Sequence, residues 1–491
     1  MIETVRTGPF VPAYWFASIY VVMLLCIPTR LIVGPIGAPG TPANLFAIAG
    51  LLWWVCATLA GLGQVRGFTP LRAAFGAFFA LVLLSYAAGH LRGWSQPADI
   101  HQRSDRLWQE ANVTQVTETI SSAADRGLLA VAGFAGILLI TSEGIRTWRE
   151  LDRVITWLVR AAGVVAAMGI VQYFTGLNVA AFIRIPGLQG LQDFGNALSR
   201  SDLNRIVATS AHPIELGVMM ASTLPFALHR SLHAGRRLSA WLPTGLIGAA
   251  ALMSVSRSAI VVAAVAVLVL LIGWPWKWRL IALALAPVLA VVGRAVLPGL
   301  LGTVRSLFTG LESDPSIQGR TDDYPLVMRE FGERPLVGQG VFTWVPMVYR
   351  TIDNQMLVLL LEIGILGTIA FAVLVLTGQF LAWSPWRTPS KYEHRHLGLA
   401  ISGSMAGIVV SFVTFDALSF RQVAGLTFFY IGLSGTVWWL TQQDRNRPAP
   451  AVSPYSATTQ DDVVVTAAPS GSASPDAAPE PRARHGLPPS E

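Results

Sequence analysis

The sequence predicts an all-α polytopic membrane protein of about 12 transmembrane helices, with a long extracytoplasmic loop between spans 9 and 10. Three observations predict it. Hydrophobic residues make up 53% of the chain and charged residues only 13%, with a mean hydropathy of +0.53; a soluble protein would carry about twice that charge fraction. Apolar runs of roughly 17 to 25 residues, long enough to cross a bilayer core as helix, recur along the chain. The alternating pattern of a β-barrel strand is absent.

The runs fall near 12–29, 42–63, 70–90, 126–143, 154–174, 210–228, 239–255, 257–274, 279–297, 354–380, 397–416 and 422–441. The first has only Arg6 before it and no small-x-small cleavage site directly after it, so it reads as a retained helix and not a signal peptide. Cys26 and Cys56 both fall inside expected spans, which gives no disulfide framework and no thiolate metal site. Between the spans, three segments exceed a turn: about 91–125, 175–209 and 298–353. The first carries a short surface helix over Trp108 to Ser122. The third has five arginines (305, 320, 329, 334 and 350) and the apolar anchors Phe331, Phe342, Trp344 and Tyr349, so it is expected to fold. The transmembrane domain covers 1–441, and 442–491 is a Pro/Ala/Ser-rich tail read as disordered and cytoplasmic.

Basic residues set the orientation. With the N-terminus inside, the inner loops carry Arg66 and Arg72; Arg146, Arg149 and Arg153; Arg230, Arg236 and Arg237; Lys277 and Arg279; and Arg387, Lys391 and Arg395. The short outer turns carry one each, Arg30, Arg257 and Arg421. Both termini are therefore expected in the cytoplasm of a cell-membrane protein. The net charge of +7 then reflects topology and needs no nucleic-acid partner.

Chemistry gathers on the outer side. Ser254-Val255-Ser256-Arg257-Ser258 lies at a turn between two spans. Ser256 is placed to cap the following helix, whose free amides favour an anion, and Arg257 adds a forked donor suited to phosphate oxygens; snorkelling to headgroups is the plainer alternative for it. Gly319-Arg320-Thr321-Asp322-Asp323-Tyr324 opens the stretch leading to Pro335-Leu336-Val337-Gly338-Gln339-Gly340. An ion pair of Arg320 with a nearby Asp is the ordinary outcome there, and a turn with a helix cap suits the adjacent aspartates better than a cation site does. Asp353-Asn354 stands where loop becomes helix, and Asp353 is either a cap or a carboxylate that accepts a proton from an attacking hydroxyl. Glu362 lies nine residues on, about half a turn out of phase and about 13 Å deeper, so it does not share a face with Asp353. A buried acid in a span is still a functional candidate. His212-Pro213 begins another span, with Pro at the first helical turn; His212 reads as structural or as a group orienting a sugar or phosphate. Arg160 and Arg294 sit within or at the edge of spans and carry no motif. No Walker loop, Rossmann glycine pattern, HExxH or CxxC is present.

In this order the motifs resemble those of the O-antigen ligase and polymerase superfamily, over roughly residues 12–441. The resemblance rests on the Ser-x-Ser-Arg turn after the seventh span, the Gly-Arg opening of the long loop, Pro-Leu-Val-Gly-Gln-Gly, and Asn354-x-x-Leu-x-x-x-x-Glu362-x-Gly364-x-x-Gly367. It implies a metal-independent GT-C type membrane glycosyltransferase in cell-surface polysaccharide assembly. Such an enzyme moves a glycan from an undecaprenyl-pyrophosphate donor to a hydroxyl of a glycan or lipid acceptor on the outer face. It also implies that Arg257 and Arg320 hold the donor pyrophosphate, with no metal and no cofactor. Asp353 stands where ligases usually have the His proposed as base, and Ser256, Asn354, His212 and Glu362 are the supporting positions. The neighbouring SEDS peptidoglycan polymerases also use an outer-face Asp near such a helix, but the two arginine motifs favour the ligase and polymerase family. A polymerase and a ligase differ only in what attacks. The rival from another class is a transporter or flippase of lipid-linked oligosaccharide, which predicts ionisable groups near mid-bilayer and paired halves.

Overall fold

The computed structural model describes residues 12–61, 68–94, 113–190, 199–200, 203–235, 237–296, 315–346 and 348–446. The tail beyond 446, the start of the long loop at 297–314, and residues 95–112 lie outside the described residues. The architecture is helical. In chain order the helices are α1 Ala13–Cys26, α2 Pro42–Leu59, α3 Pro70–Arg92, α4 Val113–Gly144, α5 Trp148–Thr175, α6 Pro213–His233 and α7 Leu242–Met253. They continue as α8 Arg257–Gly273, α9 Trp276–Val296, α10 Pro315–Glu333, α11 Gln355–Ala382, α12 Tyr392–Ser411 and α13 Arg421–Asn446. Every apolar run read from the sequence falls on one of these helices. Six of them (α2 to α5, α11 and α13) are long and apolar enough to cross a membrane, and α1, α7 and α8 are shorter apolar helices. The chain is a polytopic membrane protein.

Three boundaries differ from expectation. The surface helix expected before the fourth span is not separate, because α4 runs unbroken from Val113 to Gly144. No proline interrupts Ser121-Ser122-Ala123-Ala124-Asp125-Arg126, so the helix continues through it. The Gly319–Asp323 stretch, expected as a turn, lies inside α10. This helix is far more polar than the spans. It buries Asp323 and Val327, so it packs as an amphipathic surface element against α11. Finally, α13 extends through residues 442–446, which the sequence reading assigned to the tail.

Interhelical contacts define two ends of the bundle. At one, here the loop end, the starts of α6, α8, α11 and α13 meet the segments 28–40, 205–212 and 335–353. At the other, the start of α1 meets the start of α5 through Arg153 Nη1 donating to Tyr14 Oη at 2.9 Å, and α13 finishes beside Trp148, whose indole donates to Asp444. The main core follows α1, α4, α6, α11, α12 and α13, with Tyr430, Phe226, Phe371 and Phe428 wholly buried. A second, smaller core at the loop end joins Trp94, Ile120, Val327, Trp344, Tyr349 and Leu361. That core gives the long loop its fold. Two short antiparallel ladders complete the loop end, Leu31–Ile32 with Gln189–Gly190 and Ser199–Arg200 with Leu203–Asn204.

Candidate active site at the loop end

The two glycine motifs of the long loop and of α11 fold as one unit. Gly364 leaves the helix at φ 64°, ψ −173°, a region open essentially to glycine alone. Turning there frees backbone groups of α11, and the Pro335–Gly340 strip takes them up. Gln339 N–H donates to Leu361 O at 3.2 Å and Gly340 N–H to Glu362 O at 2.7 Å; Ile365 N–H donates to Pro335 O at 2.8 Å and Leu366 N–H to Leu336 O at 3.2 Å. Gly338 also has positive φ, and a Cβ on it would sit 2.4 Å from Glu362 O. The clasp satisfies buried backbone polar groups that a helix break would otherwise strand.

The Glu362 side chain extends the same clasp. It is 4% exposed, and its Oε1 accepts the Trp344 backbone N–H at 3.1 Å. Trp344 stacks on Tyr349 with ring centroids 4.2 Å apart, and its indole donates to Arg350 O at 2.8 Å. Arg350 in turn pairs with the buried Asp323 of α10 at 2.9 Å. The loop is thus tied to α11 on one side and α10 on the other.

Asp353 is exposed, just ahead of the cap. The cap is Asn354, whose Oδ1 accepts from Met356 N at 3.0 Å and Leu357 N at 3.4 Å. A carboxyl that feels the charge of Asp353 is Asp416, in the connection between α12 and α13. Burial pushes Asp416 up to about 6; its bond from Ser419 Oγ opposes this, and the charge of Asp353 adds to it. Asp416 Oδ1 is buried without a hydrogen-bond partner. The sequence carries no signal for this residue beyond a lone acid between two apolar runs.

A cavity of about 290 Å³ opens beside it, lined by Arg126, Arg421, Glu362, Asp416, Asn44 and Trp344 over an apolar floor that includes Tyr20, Leu24 and Phe134. Of the residues singled out as site candidates from sequence, only Glu362 lines it. Arg421 spans its edge, with Nε donating to Ala38 O at 3.0 Å and Nη1 to Thr29 O at 2.9 Å.

Next to the cavity, α6 begins. His212 is its N-cap, and His212 Nδ1 accepts the Ile214 backbone N–H at 3.1 Å. A backbone N–H can only donate, so the neutral ring carries its proton on Nε2. Burial, with the charge of Arg205 second, lowers its pKa to about 4 and keeps it neutral. Glu215, fully buried, accepts Ala211 N–H at 2.8 Å and Gln422 N–H at 2.9 Å, which fastens α6 to α13.

Arg257 is the first residue of α8, half-buried, behind its N-cap Ser256, whose Oγ accepts from Ala259 N at 3.5 Å. The turn before it is strained: Val255 sits at φ 47°, a rare position for a β-branched residue. Arg205, 9% exposed, buttresses this turn by donating from Nε to Ser254 O at 3.2 Å. Ala208 and Phe342 share positive φ, so among the described residues the three non-glycine outliers lie at the loop end. Such strain concentrates at functional sites. Arg320 lies within α10, and its side chain, like that of Asp322, is outside the described residues. Arg257 and Asp353 do not line the cavity. Asp416, Arg126 and Arg205 carry no functional motif in the sequence.

The fold and this end together define a multi-pass membrane protein with a polar site set at the mouth of its helices. Residues 242–372 match the family model described as O-antigen ligase. This stretch is thus similar to a domain of the O-antigen ligase and polymerase superfamily. The matched stretch holds the Ser-x-Ser-Arg turn, α10, the Gly364 clasp, Asp353 and Glu362. A search of curated proteins returns no match to this chain.

Proposed function

We propose that the chain is a metal-independent glycosyltransferase of cell-surface polysaccharide assembly. It transfers a glycan from undecaprenyl-pyrophosphate to an acceptor hydroxyl at the outer face of the cell membrane, as a polymerase or a ligase. The observation that carries this reading is the family match over a stretch that sets Arg257, Asp353 and Glu362 at the loop end of an otherwise apolar bundle. The topology is twelve spans with both termini cytoplasmic and the long loop outside. It is supported by the charge bias of the connections and by contacts that set the starts of α6 and α13 at the loop end and those of α1 and α5 at the other.

In this mechanism Arg257 and Arg320 hold the donor pyrophosphate. As the glycosidic bond breaks, negative charge grows on the leaving pyrophosphate, and two fixed guanidiniums offset it. The α8 N-terminus adds its dipole on the same side as Arg257. Asp353 takes the proton from the attacking hydroxyl. Asp416, beside it and partly protonated near neutrality, tunes that step, because two close carboxyls do not both ionise freely. The cavity, with acids, an amide and Trp344 over an apolar floor, suits an acceptor sugar. His212 Nε2–H, at the same end of the bundle but outside the cavity lining, is a neutral donor.

The test is transfer in proteoliposomes supplied with undecaprenyl-pyrophosphate-linked oligosaccharide from the host. Wild-type protein is expected to build longer lipid-linked glycans or to move one glycan to an added acceptor, and Arg257→Ala or Asp353→Ala to stop it with insertion intact. Movement of the lipid across the bilayer without any transfer would replace this reading with that of a flippase.

A further inference from the structure

The end of the bundle opposite the site holds a cluster with no part in the reading above. His229 and His233 lie one turn apart on the last turns of α6, so both rings project from one face. His396, from the first turns of α12, meets them. One ligand nitrogen from each of the three rings lies within 4.8 Å of the others. His229 is 3% exposed and His396 1%, while His233 is half-buried and opens the cluster to the surface. Trp274 and Tyr392 flank the rings.

Hydrogen bonding fixes which nitrogens can serve. His233 Nδ1 faces the His229 carbonyl oxygen at 2.8 Å and must donate to it, which leaves Nε2 with a free lone pair. That arrangement, one ring N–H on a carbonyl and the other nitrogen bare, is how proteins orient metal-binding histidines. His229 Nδ1 and His396 Nδ1 stand 2.9 Å apart. Two imidazole nitrogens so close are joined by a shared proton or by a shared ion. Trp274 Nε1–H, a donor only, reaches His396 Nε2 at 2.7 Å and biases His396 towards the Nδ1–H form that donates to His229.

We propose that His229 Nδ1, His396 Nδ1 and His233 Nε2 form a binding site for a divalent transition-metal ion of the zinc type, with water completing a tetrahedral set. Nitrogen ligands about 2.0–2.1 Å from zinc stand about 3.3–3.4 Å apart, so the close pair opens by about 0.4–0.5 Å. The metal takes the place of the His396 Nδ1 proton. That proton moves to Nε2, the ring stays neutral, and the Trp274 indole must give up its bond there. No net proton is released. The ion staples α6 to α12, the helices that lead at their far ends to His212 and to the connection carrying Asp416. Sequence alone gave no metal site, because His229 and His233 show only a four-residue spacing and His396 lies more than 160 residues on.

The experiment uses the full chain in detergent, carrying no polyhistidine tag, loaded with zinc or cobalt alone and freed of excess ion. One ion per chain is expected by elemental analysis, with a tetrahedral cobalt spectrum and a change in tryptophan emission as the indole is released. His233→Gln and His396→Gln should each lose stoichiometric binding. Trp274→Phe keeps all three ligands and removes the competing donor, so it should bind severalfold more tightly and lose the emission change. The proposal is overturned if folded wild-type protein binds no ion. It is also overturned if binding is unchanged in both histidine variants, or if Trp274→Phe leaves affinity unaltered.

Discussion

The two ends of the bundle manage polar groups in opposite ways. At the end away from the loop, ion pairs tie helices together. Arg72 pairs with Glu143 at 2.6 Å, and Glu143 also accepts from the Trp54 indole; Arg230 pairs with Asp152 at 2.6 Å. At the loop end, carboxyls act on one another instead: Asp416 is half-buried with its Oδ1 unpartnered, and it feels the charge of Asp353 and is felt by Glu362. The three positive-φ non-glycine residues among the described residues are there too. The loop end thus combines an anchoring ion pair, Arg350 with Asp323, with backbone strain and a carboxyl oxygen that has no partner, a combination that functional sites favour.

Breaking this contrast at its extremes should give the largest effect. Arg257→Ala is expected to lower transfer by about 10²–10³-fold, as loss of one fixed stabiliser of developing charge does elsewhere. Arg72→Ala, at the other end, should leave the transfer rate near wild type while lowering stability, since it strips the charge partner from Glu143, which is only 11% exposed. Transfer assays on both variants at equal membrane content decide it. Equal losses would mean that the polarity of the two ends has no functional meaning.

Gly364→Ala should be the most damaging for folding. A Cβ there would stand 2.4 Å from the backbone of Leu336, and the backbone strain alone costs about 1–3 kcal/mol. Thermal unfolding in detergent should show a marked drop. Gly76, whose added Cβ meets nothing within 4 Å, should accept Ala with little change.

Asp416→Asn sharpens the comparison through pH. The folded carboxyl titrates at about 6 against an ordinary 3.8. The folded state therefore binds more protons between these values, and this group's contribution to stability falls as pH rises from about 4 to about 6 and stays low above. His212 has the opposite sign: its folded pKa of about 4 against 6.5 makes stability rise with pH across that window. The two partly cancel in the wild type. Asp416→Asn should expose the rising limb, raise stability at pH 7, and move the acid limb of the transfer rate. An unchanged pH profile would remove Asp416 from the reaction.

The sequence showed some of this plainly and hid the rest for physical reasons. Apolar runs report helices because each must satisfy its own backbone in lipid, and Ser256 and Pro213 are local signals of helix starts. The clasp was not legible: Pro335–Gly340 and Gly364 appear as separate motifs, and only backbone hydrogen bonds across some 25 positions join them. Asp416 had no motif, and its character comes from burial and from Asp353, 63 positions away in sequence. The acidic partner of Asp353 is therefore not a neighbour on its own helix. The Gly-Arg stretch misled because its acids suggested a turn, whereas burial of Asp323 against Arg350 supports helix there.

The smallest expected effect separates architecture from chemistry at His212. Its Nδ1 caps α6, so His212→Ala should cost about 0.5–2 kcal/mol, the usual loss for an N-cap. His212→Asn supplies a side-chain oxygen in the same place and should restore stability. Asn cannot reproduce an Nε2–H pointing away from the cap, so transfer should stay impaired in a stable protein if that proton orients a substrate oxygen. Recovery of both stability and transfer in the Asn variant would make His212 a cap alone. The cavity's hydrogen bonds to substrate would then fall to Asn44, Arg126 and the two carboxyls that line it.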